Sequence, residues 1–279
     1  MSLFTLLGAD GLLGRTLATR LCQRGHGVTV VPRDDLPRLL AARHSAGHVI
    51  HCLAPDGDFR AGASDTAEAH VGVTARCLRD LAFDSFLFIS STRVYAHAVS
   101  AGEEDALLAL PGDPADLGTI TRLAAEALCL CDARPAVRVA RVADTYGPGM
   151  GAEGFLGQLI AEAWATGTLR LRQGPLSCRD YIAVEDAADA LAAIAMRGQH
   201  RLYNVATGVN ISHGALVDCL ADAFGWQVAR DLGAPAIRSP RIRIVRLAEE
   251  FGAPASTLLT ELAQLPFALR PQPDRAVIA

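Results

Sequence analysis

The chain has 279 residues, 51% of them hydrophobic, which is ample for a large buried core in one domain or two. A formal net charge of −4 argues against nucleic acid as a partner, and no apolar run is long enough to span a bilayer. All 26 basic residues are arginine, so Schiff-base chemistry and any lysine-assisted proton relay are excluded. In chain order, the apolar run SLFTLL (2–7) stops at glycine and predicts a buried strand, followed by a helix over GLLGRTLATRLCQRG (11–25). VTVV (28–31) is a β-branched strand, LPRLLAARHS (36–45) a short helix and HVIHCLA (48–54) a further strand. A helix is expected over roughly 65–82, a strong strand over FLFISS (86–91), a helix over DLGTITRLAAEALCL (116–130) and a strand over AVRVARVA (136–143). After Pro148 a glycine-rich stretch leads to a helix near 155–166; YIAV (181–184), a helix from Glu185 to Met196 and LYNVA (202–206) predict a return to the sheet. The rest, about 209–279, is helical with short strands. Alternating strands and helices predict a parallel sheet covered on both faces.

The seven cysteines have no framework of spacings and are expected to be reduced thiols. With no secretory signal in the N-terminal stretch, a cytoplasmic location is expected, and the sequon-like Asn210 carries no meaning there. His44, His48 and His51 straddle a helix end, a loop and a strand without a CxxC partner, so no metal site is expected.

GADGLLG sets Gly8, Gly11 and Gly14 between the first strand and the first helix. A strand-to-helix turn without side chains lets backbone N–H groups approach a pyrophosphate, and the helix N-terminus adds partial positive charge. The second strand ends VVPRDD, with Pro32 where an acidic residue would bind a ribose 2′-hydroxyl and Arg33 next. That favours NADP, with NAD as the other choice. The competing reading is an arginine paired with Asp34 or Asp35.

GADGLLG, HVIHCLA, FLFISSTRVYA, RVADTYGPG and RDYIAVEDAADAL resemble, in this order, segments of the extended short-chain dehydrogenase/reductase family, the NAD-dependent epimerase/dehydratase group. The resemblance implies a doubly wound, Rossmann-like parallel sheet with a smaller C-terminal substrate domain. The expected division is 1–150 with 178–208 for the dinucleotide and 151–177 with 209–279 for the substrate. Ala54, at the end of the HVIHCLA-like segment, and Tyr146, near the nicotinamide loop, are its further expected cofactor contacts. The family's chemistry uses a Ser or Thr, a Tyr, a Lys and commonly an Asn. Ser91 falls in the hydroxyl position, but Gly118 takes the tyrosine position, Arg122 the lysine position and His70 that of the asparagine. Ser91 would polarise the reacting oxygen and Arg122 would hold the ribose. Only about sixteen residues, Asp34 to Val49, join the second strand to the next, so one edge strand of the family's sheet is expected to be missing. Arg179 falls where sugar-nucleotide members hold a phosphate; its other reading is an ion pair with Asp180 or Glu185. Tyr95, Tyr146 or His97 would be a substitute acid–base group, set against packing for the tyrosines and an exposed loop position for His97.

Two functions follow. One is an NAD(P)-binding epimerase, dehydratase or reductase acting on a sugar-nucleotide or other phosphorylated or sugar-like small molecule, with non-standard acid–base residues. The other is a catalytically silent dinucleotide- or ligand-binding sensor. A homodimer is left open.

Overall fold

A computed structural model describes residues 1–42, 44–53, 62–152 and 154–262. The element order follows the alternation expected: β1 (Leu3–Leu7), α1 (Leu12–Gln23), β2 (Gly27–Val31), α2 (Leu36–Ala41), β3 (His48–His51), α3 (Ala63–Ala67), α4 (Val73–Asp80), β4 (Ser85–Ser91), α5 (Leu117–Cys131) and β5 (Val137–Val142). Then come β6 (Asp144–Tyr146), α6 (Gly154–Thr166), β7 (Thr168–Leu171), β8 (Cys178–Ala183), α7 (Val184–Arg197), β9 (Leu202–Val205), β10 (Asn210–Ser212), α8 (His213–Phe224), β11 (Gln227–Arg230), α9 (Val245–Phe251) and α10 (Leu258–Glu261). One π-helical turn, Glu68–Gly72, joins α3 to α4 into one continuous helical segment.

Six strands form one sheet in the order β2-β1-β3-β4-β5-β9, all neighbours parallel. Each central strand is apolar on both sides because successive side chains enter different cores. Phe4, Leu6, Ile50, Leu87 and Ala140 face α1 and α7 in one cluster. Leu7, Val49, Phe86, Phe88, Val137 and Val139 face Val73, Cys77, Ala125 and Cys129 in the other. The doubly wound sheet is therefore present, and β2 is its edge: from Val31 to His48 the described chain makes only a 3₁₀ turn and the short α2.

One expectation is corrected. The strand expected at 181–184 does not return to the main sheet; it falls in β8, the middle of a separate three-stranded sheet, β10-β8-β6. The position beside β5 is taken by β9, through Val139↔Leu202 and the next three pairs. Asp180 on β8 instead caps the β9–β10 turn, accepting from Thr207 N at 2.9 Å, Gly208 N at 2.6 Å and Val209 N at 3.1 Å. A third apolar cluster, with Leu156, Leu159, Tyr181, Leu216 and Leu220, packs α6 and α8 around this small sheet.

A polar chain crosses the main core. Arg141 of β5, 4% exposed, pairs with Glu126 of α5 at 2.6 Å, and Ser90 of β4 donates to the same carboxylate. The Arg141 guanidinium also donates to the Tyr95 hydroxyl at 2.7 Å, which in turn donates to Asn204 Oδ1 of β9 at 2.9 Å. Removing one member of such a pair strands a buried charge, at a cost of about 3–5 kcal/mol, whereas replacing both by apolar side chains of like volume is near neutral. Arg141→Ala is expected to lower unfolding stability by that amount in urea, and Arg141→Met with Glu126→Leu to recover most of it.

Candidate functional site

A cavity of about 320 Å³ opens at the carboxyl ends of β1, β3 and β4, where doubly wound sheets bind their ligands. Gly8, Gly11 and Gly14 form one wall, with Cys52 and Ile89 beside them; Asp144, Thr145, Tyr181, Met150 and Phe155 form the opposite wall. Gly8 has φ +68°, a conformation that side chains resist. A Cβ on Gly14 would lie 2.5 Å from Ala9 Cα, so α1 and the turn after β1 meet only because it is absent. Around Gly11 nothing lies within 4 Å of such a Cβ, which leaves that face of the turn open to the cavity. Gly11 also begins α1 without a side-chain cap, and the first turn has no acidic residue. The leading N–H groups and the helix dipole therefore remain available to an anion. This cradle fits a dinucleotide pyrophosphate.

Arg33 stands in the 3₁₀ turn after β2, and its charge helps hold His51 and His70 neutral. Ala54 lies outside the described residues.

Ser91 ends β4, where its hydroxyl accepts from Arg93 N at 3.2 Å. On α5, Arg122 folds back and donates from Nη1 to Gly118 O at 3.0 Å. Burial, reinforced by Arg93, pushes the Arg122 guanidinium down to about 10, which still leaves it a cation at neutral pH. Gly118 itself offers only backbone. His70 sits on the π-helical turn, the kind of insertion that re-aims a side chain. Its Nδ1 is 2.9 Å from Thr121 Oγ1, and burial, with Arg122 next in weight, pushes it down to about 3.

The proposed substitutes are engaged elsewhere. Tyr95 is locked between Arg141 and Asn204. Tyr146, 1% exposed, donates to Glu261 of α10 at 2.8 Å. His97 lies 3.0 Å from Asp116, just before α5. None of the three lines the cavity among the described residues.

Arg179 pairs with neither Asp180 nor Glu185. Its Nη1 donates to Asp144 Oδ2 at 3.1 Å, while Arg93 Nη2 reaches Asp144 Oδ1 at 3.5 Å. Two guanidinium groups thus share one carboxylate at the cavity wall. Asp144, Arg93 and Tyr181 were not singled out from the sequence. The available signals were the aspartate two residues before Tyr146 in RVADTYGPG and an arginine two residues after Ser91.

A model of the NAD dependent epimerase/dehydratase family matches residues 4–206. The chain belongs to this family. Solved structures with the same fold include MoeE5 in complex with UDP-glucuronic acid and NAD, at 24% identity over 96% of this chain and 99% of that one, TM-score 0.80. UDP-glucose 4-epimerase of Thermotoga maritima, with UDP-glucose, is 18% identical over 96% and 98%, TM-score 0.80. RMD of Pseudomonas aeruginosa, complexed with NADPH, is 21% identical over 96% and 99%, TM-score 0.75. No curated protein matches. In this chain Gly8, Gly11 and Gly14 lie around the turn after β1, Ser91 ends β4, and Gly118 and Arg122 lie in the first turns of α5.

Three buried histidines give the fold a pH dependence. Burial is the first cause for each, and His51 and His70 are pushed down to about 3 and His213 to about 4. The unfolded chain binds protons on them near 6.5 while the folded one does not, so their contribution is complete above pH 6.5 and is lost as pH falls toward those values. The expected slope is about 1.4 kcal/mol per pH unit for each histidine. Urea midpoints at pH 7.5 and 5.0 measure it; a flat profile would contradict the buried neutral assignment.

Proposed function

We propose that the protein binds a nicotinamide dinucleotide along Gly8, Gly11 and Gly14 and acts on a sugar-nucleotide, or a similar phosphorylated or sugar-like molecule, held toward Arg179. The observation that carries this reading is the continuity of one cavity from the glycine cradle to Asp144 and Tyr181. The bound cofactor would supply hydride transfer. The chain's own part is to hold the pyrophosphate at the start of α1, to place Ser91 near a ligand oxygen, to set Arg122 toward the ribose and Tyr146 behind the nicotinamide loop, and to meet an anionic group with Arg179. On this reading residues 151–177 and 209–279 make up most of the substrate side, and 1–150 with 178–208 the dinucleotide side.

A second reading, a silent binding protein, draws on Gly118 and Arg122. General acid–base help contributes about a hundred- to ten-thousandfold in rate, and an arginine that stays protonated cannot accept the proton. A cytoplasmic setting suits seven cysteines that are all free. A homodimer would use the apolar hollow lined by Ala75, Leu78, Ala127 and Leu128, with sedimentation velocity as the measurement.

Binding of NADPH is expected to be tighter than that of NADH, because Arg33 follows β2 with no acidic residue at its end. A charge-assisted arginine–phosphate contact contributes about 1.5–3 kcal/mol, or roughly ten- to a hundredfold. Titration calorimetry with both cofactors is the check; equal affinities, or a preference that survives Arg33→Ala, would refute it.

Turnover is expected to be slight. Absorbance at 340 nm with a panel of alcohols and sugar nucleotides should show little or no NAD(P)-linked oxidation, with cofactor binding retained. Gly118→Tyr with Arg122→Lys should keep that binding and raise the rate if the surrounding pocket is intact. Robust turnover by the unaltered chain would place the acid–base group outside Gly118 and Arg122 and remove the silent reading.

A further inference from the structure

The glycine turn on one wall of the cavity is spelled again on the other. GADGLLG (8–14) leads into α1 and GAEGFLG (151–157) leads into α6; they differ only in Asp10 against Glu153 and Leu12 against Phe155. Gly8, Gly11 and Gly14 line the cavity from one side, and Gly151, Gly154 and Gly157 from the other. Each turn holds one glycine in the left-handed region, Gly8 at φ +68° and Gly154 at φ +70°. A Cβ on Gly14 would press into Ala9, and one on Gly157 would collide with the Gly151 carbonyl oxygen, so each helix closes over its own turn only without them. Around the middle glycines, Gly11 and Gly154, nothing lies within 4 Å of such a Cβ, which leaves both helix starts open. Leu12, the first residue of α1, packs against the apolar cluster that contains Leu156 of α6.

Two helix N-termini therefore face one cavity. The first N–H groups of a helix lack a carbonyl one turn earlier, and each such end carries about half a positive charge, so the two ends repel unless an anion lies between them. Neither first turn contains an acidic residue. Among the described residues no arginine or histidine lines the cavity, and its one carboxylate, Asp144, is shared by Arg93 and Arg179. An independent observation adds a donor. Tyr181 lines this cavity, is 2% exposed, and its hydroxyl has no hydrogen-bond partner among the described residues. The hydroxyls of Tyr95, Tyr146 and Tyr203 all have partners. Native proteins rarely leave a buried polar group unpaired, and this one stands among other donors.

Backbone N–H groups from two sides and a phenol O–H call for a ligand rich in acceptor oxygens. A cavity of about 320 Å³ is at the low end of ligand sites, which span roughly 300–1,000 Å³, so both helix ends address one diphosphate. Arg179, to which the anionic group of a sugar nucleotide is assigned above, does not line this cavity. The dinucleotide is left as the occupant. We propose that GAEGFLG is a second anion turn, and that the N-termini of α1 and α6 grip the dinucleotide's pyrophosphate between them, with the Tyr181 hydroxyl donating to one of its oxygens. The proposal rests on the dinucleotide reading above and adds α6 and Tyr181 to it.

The test is calorimetry on the full chain with NADPH, NADH and adenosine 2′,5′-bisphosphate, which lacks the pyrophosphate. Tyr181→Phe removes one oxygen and no packing. It is expected to weaken both dinucleotides about five- to fiftyfold, to leave the bisphosphate within twofold, and to leave the melting temperature unchanged or raised. Gly154→Asp and Gly154→Asn form a pair, since both residues tolerate positive φ and only one brings charge. The aspartate variant is expected to bind dinucleotide about tenfold or more weakly than the asparagine variant. Gly11→Asp, at the first turn, separates the two levels of the argument. If it abolishes dinucleotide binding while Tyr181→Phe stays within twofold of the unaltered chain and the two Gly154 variants bind alike, the second turn is overturned and the dinucleotide reading stands. If a Gly154 variant does not fold, Tyr181→Phe decides alone. UDP-glucose titrated into the NADPH-saturated chain gives a further check: a loss confined to UDP-glucose in Tyr181→Phe overturns the proposal, because the hydroxyl would then serve the second ligand. If neither dinucleotide binds the unaltered chain, the proposal and the dinucleotide reading fall together.

Discussion

Arg141 sits in the middle of a parallel sheet, on a strand covered on both sides, where an unpaired guanidinium would be untenable. Its pairing with Glu126 therefore dictates where α5 lies along β5. Since α5 carries Gly118 and Arg122 in its first turns, the ion pair also sets the distance of those residues from Ser91 at the end of β4. The same guanidinium holds the Tyr95 hydroxyl, and Tyr95 in turn holds Asn204 on β9. Three strands, a 3₁₀ turn and a helix thus converge on one buried charge. Tyr95 is thereby withdrawn from any role in proton transfer.

The site that results has an uneven character. On the cofactor side it depends on absent side chains: positive φ at Gly8, close backbone approach at Gly14 and an uncapped helix start at Gly11. On the opposite side it depends on charge, with the single carboxylate of Asp144 shared by Arg93 and Arg179. Nearby, Arg122 folds back onto the Gly118 carbonyl, and burial keeps His70 neutral.

Much of this was legible in the sequence because it follows from local pattern. Apolar runs and helical spacing marked the main strands and helices, and the count of residues between Val31 and His48 was too small for another strand and its helix. The glutamate of LAAE in α5 is Glu126, the partner of Arg141. What could not be read was pairing between distant segments. The parallel register of β6 with β8 brings Asp144 beside Tyr181, and the ion pair to Arg179 follows from that alone. The apolar run at 181–184 resembled a main-sheet strand, and only the capping of the β9–β10 turn by Asp180 explains why it is not one.

The short link between β2 and β3 has a further consequence at the rim of the sheet. With no strand described outside β2, its outward backbone groups lack a ladder partner, and Thr29 and Val30 are exposed there. Such an edge is a template on which an extended segment of another polypeptide can add itself in register. The chain limits this by brevity, since β2 has five residues, and by Pro32, which follows at once and offers no N–H to continue the ladder. Economy at this margin thus trades a seventh strand for a guarded seam, open to solvent and closed by a single ring.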